Sequence, residues 1–118
     1  MDYKYQLIEE VGYLSRRYNQ FVWMPKGYKS DGASGARDVD GPLVVRDLVT
    51  GGYVKKSLSY FVHDKLCEDM CWADGTPCSN WQASMVLKDI LKEEGRYVRD
   101  HWWAFATFVY RAFKTRRF

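Results

Sequence analysis

The chain has 118 residues, 47% of them hydrophobic and 17% aromatic, with a formal net charge of +3. That length gives a single domain, 1–118, with a modest core, and the apolar content excludes a disordered chain. The charge is too weak to indicate nucleic acid by itself, and the longest strongly apolar stretch, 102–110, is well short of the ~20 residues that cross a bilayer.

The first third reads as β. Tyr3, Tyr5 and Leu7, then Val11 and Tyr13, alternate as strands do, with Gly12 placed to mark a bulge. Asn19-Gln20 is a turn into Phe21-Val22-Trp23-Met24, a short buried strand closed by Pro25. A small antiparallel meander is expected here. Residues 27 to 56 are broken by six glycines and Pro42 and read as a long ordered loop, a type of segment that often carries function. Leu43-Val44-Val45 and Leu48-Val49 are short strand or helix pieces within it.

Three helices are expected after Ser57. In the first, Leu58, Phe61, Val62, Leu66 and Met70 form an i, i+3, i+4 stripe that ends before Trp72-Ala73-Asp74-Gly75-Thr76-Pro77. The second starts at a capping box, Ser79 with Gln82. It buries Trp81, Met85, Val86, Ile90 and Leu91 and stops at Gly95. The third runs from about Tyr97 to Lys114. The fold class is therefore α+β: a small N-terminal antiparallel meander, a long ordered loop and three C-terminal helices.

Chemistry concentrates at His63-Asp64, one of only two histidines beside a carboxylate on an apolar helix. Adjacent helical side chains diverge by about 100°, so the two do not form a dyad. His63 suits a general base facing a substrate, and Asp64 faces a metal or a loop. The alternative is a helix histidine bonded to a nearby carbonyl, with Asp64 solvated. His63 is expected within hydrogen-bond reach of the Asp31 to Ser34 loop or of the Ser79 helix, because a buried imidazole needs a partner. The loop Asp31-Gly32-Ala33-Ser34-Gly35 offers backbone amides to an anion, or carbonyls and the Asp31 carboxylate to calcium. His63, Cys67 and Cys71 are spaced four and four, with Cys78 beyond. That spacing spreads them over about 12 Å of helix, too far for one tetrahedral zinc, so free thiols are expected. An odd cysteine count, and a start without the basic-then-apolar pattern of a secretory signal, suit a reducing cytoplasm.

The last helix carries Trp102, Trp103, Phe105, Phe108, Tyr110 and Phe113, more aromatics than one buried stripe needs. Part of it is expected in the core. A strip with Trp102 or Trp103 and Phe113, rimmed by Arg111, Lys114, Arg116 and Arg117, is expected to meet a partner or a second copy. An anionic membrane surface is the competing target. Nucleic acid is set aside, because cations and exposed aromatics are not interleaved elsewhere in the sequence.

Two segments in this order, Pro25-Lys26-Gly27-Tyr28-Lys29-Ser30-Asp31-Gly32-Ala33-Ser34 and His63-Asp64-Lys65-Leu66, followed by the helix from Ser79 to Gly95, resemble an uncharacterised domain family of tailed phages and prophages. That family in turn is similar to the histidine–aspartate phospholipases of the secreted A-two class. The resemblance implies His63 as base, Asp64 and Asp31 as calcium ligands, and calcium as the cofactor. The chain departs from that pattern with Cys67 in the tyrosine position and Ser84 where the orienting aspartate aligns. A serine does not stabilise an imidazolium as a carboxylate does. The expectation is thus a phage-encoded accessory protein in the host cytoplasm or virion, a non-catalytic virion component or host-protein binder. The alternative is a calcium-assisted, phospholipase-like esterase with a role in lysis.

Overall fold

The computed structural model describes residues 3–30 and 41–94, together with Val109 and Phe113. The class is α+β. Six short strands precede two helices: β1 Tyr5–Leu7, β2 Val11–Ser15, β3 Gln20–Met24, β4 Lys29–Ser30, β5 Leu43–Asp47, β6 Tyr53–Lys56, α1 Leu58–Asp69 and α2 Asn80–Glu93.

The strands are antiparallel, as expected, and fall into two sheets. β2 and β3 make a separate two-stranded hairpin, whereas β1 lies inside a four-stranded sheet of order β4-β1-β5-β6. Tyr5 pairs with Ser30 on one side and Asp47 on the other. The segment expected as a long loop thus supplies three strands. β5 and β6 form a hairpin whose turn is held by the Asp47 carboxylate, which accepts from the amides of Val49 and Thr50 at 2.8 and 3.2 Å. Two short apolar runs carry too little periodicity to be told from loop in sequence. Of the three expected helices two are described. The third, 97–114, lies outside the described residues except for Val109 and Phe113, both helical.

Local chemistry explains most boundaries. The β2–β3 turn ends on Asn19 at φ 51°, the left-handed conformation asparagine tolerates. Gly12 is no bulge: it pairs in register with Trp23, and the Phe21 ring covers it so closely that a Cβ would meet Cζ at 2.4 Å. α2 begins on the expected capping box, with the Ser79 hydroxyl accepting from the Gln82 amide at 3.1 Å and the Gln82 carboxamide accepting from the Ser79 amide at 3.0 Å. α1 has no acidic residue in its first turn. The missing charge comes from the end of α2, where Glu94 accepts from the Ser57 hydroxyl at 2.5 Å and from the Leu58 amide at 3.1 Å. The backbone of Gly41 presses on this corner, and a Cβ there would lie 2.7 Å from Ser57 Cα.

One face of the four-stranded sheet, bearing Tyr5, Leu7 and Val45, packs with Val22 and Met24 of the hairpin, Phe61, Val62 and Leu66 of α1, and Ala83, Val86 and Ile90 of α2. Each such large apolar side chain contributes about 1.5–3 kcal/mol by leaving water. Of the expected α2 face Val86, Ile90 and Leu91 are buried, Met85 is half-buried and Trp81 is exposed, while Ala83 and Leu87 are buried in addition. The hairpin is clamped to α2 by a two-pronged Arg17–Asp89 pair at 2.8 Å on each prong. The other edge of β3 is capped by the Ala73 amide, which donates to the Phe21 carbonyl at 2.8 Å.

Candidate functional site

α1 turns His63 and Asp64 in different directions, as their adjacency requires. His63 goes inward and is 4% exposed. The Cys67 sulfur lies 3.7 Å from its Nε2 and 3.9 Å from its Nδ1. A sulfur nearly equidistant from both ring nitrogens cannot sit on the axis of either N–H. Cys67 therefore packs against the ring and is not placed for in-line proton exchange with it. Asp64 is half-buried and faces β4, where its Oδ2 accepts from the Ser30 hydroxyl at 2.5 Å.

A second contact runs beside the first. The Tyr28 hydroxyl donates to Glu68 at 2.9 Å, and the Lys65 ammonium lies 5.4 Å from the Tyr28 ring centre. Residues 28 and 30 point the same way along an extended chain, and residues 64 and 68 stack on one helix face. The two repeats are similar in length, about 6–7 Å, so two strand side chains meet two carboxylates in register. Burial, then the hydrogen bond and the negative charge of Glu68, push the Tyr28 phenol well above its ordinary range, so it stays a donor. The turn before it needs Gly27, at φ 88° in the third position of a turn closed by the Tyr28 amide on the Pro25 carbonyl. Asp31 and the rest of the loop 31–40 lie outside the described residues.

The expected orienting position, Ser84, is 1% exposed, and its hydroxyl has no hydrogen-bond partner among the described residues. Cys67, Cys71 and Cys78 are free thiols. Burial pushes the Cys78 thiol up to about 12, with smaller contributions from the charges of Cys67 and Cys71. Among the described residues no group of three or more His, Cys, Asp or Glu side chains is placed to hold a metal ion. An open cleft of about 520 Å³ lies at the start of α2, walled by Tyr18, Met70, Pro77, Cys78 and Trp81. Neither His63 nor Asp64 lines it. No helix among the described residues is long and apolar enough to cross a membrane.

Of the expected partner strip, Phe113 is helical and 73% exposed. Trp102, Trp103, Arg111, Lys114, Arg116 and Arg117 lie outside the described residues. Sequence reasoning singled out Asp64 and missed Ser30, Tyr28 and Glu68. Neither the two-residue spacing before α1 nor the four-residue spacing within it marks a site until the fold sets one against the other. No protein-family model, curated protein or solved structure matches this chain.

Proposed function

We propose that this is a phage-encoded accessory protein, a virion component or host-protein binder, in which the His63–Asp64 helix is a structural joint and not a catalytic centre. The phage assignment rests on the likeness of segments 25–34 and 63–66 to the tailed-phage family. The non-catalytic reading rests on one observation: Asp64, the residue a calcium-assisted hydrolase would spend on the metal, is engaged by the Ser30 hydroxyl in a half-buried contact. The burial of His63 against Cys67 supports the same reading, since a general base must reach its substrate's proton.

The test combines activity with stability. Short-chain esters and phospholipid vesicles are offered to the wild type with calcium and with a chelator, and Ser30→Ala and Asp64→Asn are unfolded in urea. The expected result is no hydrolysis above background and a loss of about 1–3 kcal/mol in each variant, the usual worth of a hydrogen bond to a charged group. Calcium-dependent turnover abolished by His63→Asn would overturn the proposal in favour of the esterase.

A further inference from the structure

The helices and the hairpin cover one face of the four-stranded sheet. Among the described residues no element packs on the other face, and its side chains are fixed by strand alternation and register. Lys29 lies opposite Gln6, Gln6 opposite Arg46, and Arg46 opposite Tyr53, so one row crosses all four strands. That row spans three inter-strand spacings, about 14 Å at ~4.8 Å each. Beside it Val44 pairs with Lys55. Lys4, whose carbonyl accepts from the Leu48 amide at 2.7 Å, extends the same face at the other end of β1. Lys4, Lys29, Arg46 and Lys55 are all exposed, and Tyr53 is 68% exposed among them.

Among the described residues of these four strands, none of the outward side chains is acidic. Asp47, the strands' one carboxylate, belongs to the opposite face and is turned to the amides of its own turn. Four cations on this face exceed the +3 of the whole chain, so the rest of the molecule is close to neutral. The charge is gathered on one flat surface with an aromatic ring lying in it, although the sequence alone showed no such interleaving.

We propose that this outward face binds single-stranded nucleic acid, with Lys4, Lys29, Arg46 and Lys55 against phosphates and Tyr53 stacked on a base. Cations that track a backbone, together with an exposed ring on which a base can lie, are the two components of sequence-tolerant single-strand binding. An acidic protein would use the cations but has no need of an exposed phenol in the same row. The surface is separate from the strand–helix joint and stands whether or not that joint is catalytic.

The experiment is fluorescence anisotropy of a labelled 20-nucleotide oligothymidylate with the full chain, titrated at several salt concentrations. Four phosphate contacts predict a slope of log K against log salt of about −3, at ~0.7 per phosphate. Tyr53→Ala should weaken binding roughly tenfold, the usual loss of one stacked base. Arg46→Gln with Lys55→Gln should roughly halve the slope, while Lys92→Gln on α2 should leave both unchanged. All these side chains are exposed, and circular dichroism checks that the fold is kept. Absence of binding at low salt would overturn the proposal. So would binding that the face variants leave intact, which would assign it to the basic C-terminal residues. Polyglutamate binding as tightly as the oligonucleotide, with Tyr53→Ala without effect on either, would make the face a dock for acidic protein and overturn it equally.

Discussion

A hydroxyl buried without a partner costs about 1–3 kcal/mol, and among the described residues Ser84 carries one in the middle of α2. Ser84→Ala removes that cost and improves helix propensity, so the urea midpoint should rise by the equivalent of about 0.5–2 kcal/mol. A fall would mean that the hydroxyl has a partner. Tyr13 gives a pH-dependent counterpart. Burial first, then the charges of Glu93 and Asp89, push its phenol up to about 12. A phenol raised in the folded state favours folding fully below its ordinary value near 10 and loses that contribution as pH climbs from 10 to about 12. Tyr13→Phe should therefore flatten the fall in melting temperature across that window and leave the neutral range little changed. At this scale the sequence marked His63 and Asp64 because histidine is rare here and a carboxylate adjoins it. It could not mark Ser30, because a serine on a two-residue strand has no chemical signature until a carboxylate is folded against it. The divergence of His63 and Asp64 was legible from helical geometry alone.

Of the two described helices, α1 is the one whose start depends on a distant residue. Glu94 brings a carboxylate to the Ser57 hydroxyl and the Leu58 amide, so the positive end of the α1 dipole is met from across the fold. Glu94→Ala should cost about 1–2 kcal/mol, the range of a lost cap, and should raise amide exchange selectively in the first turn of α1. Glu94→Gln, which keeps an acceptor but loses the charge, should cost less. The local capping box at Ser79 was readable because both partners lie within four residues, whereas the Glu94 cap spans 36 residues and left no trace in sequence. Strand pairing escaped for the same reason. Alternation located β1, β2 and β3, but nothing in Tyr5-Gln6-Leu7 says that its neighbours are Ser30 and Asp47 and not the next strand along. The face of α2 was misjudged at Trp81, which a hydropathy pattern places inside and which the smaller Ala83 displaces.

For the molecule as a whole, the arrangement divides labour between surfaces. The core and the 28–30 to 64–68 joint hold the layers together, and the recognition proposed here sits on the open sheet face and the aromatic C-terminal segment. Removing residues 111–118 should weaken partner capture or self-association, followed by light scattering and pull-down, while far-UV circular dichroism keeps the strand signal. The central place of β1 has a further outcome during synthesis. It leaves the ribosome before either of its neighbours, the more distant ending 40 residues behind it at Asp47. At 5–20 residues per second that is a wait of roughly 2–8 s before its second edge is paired. The nascent chain is thus most exposed to wrong pairing between the synthesis of β1 and that of β5, and slow codons placed between residues 7 and 47 should lower the yield of soluble protein more than the same codons placed after residue 57.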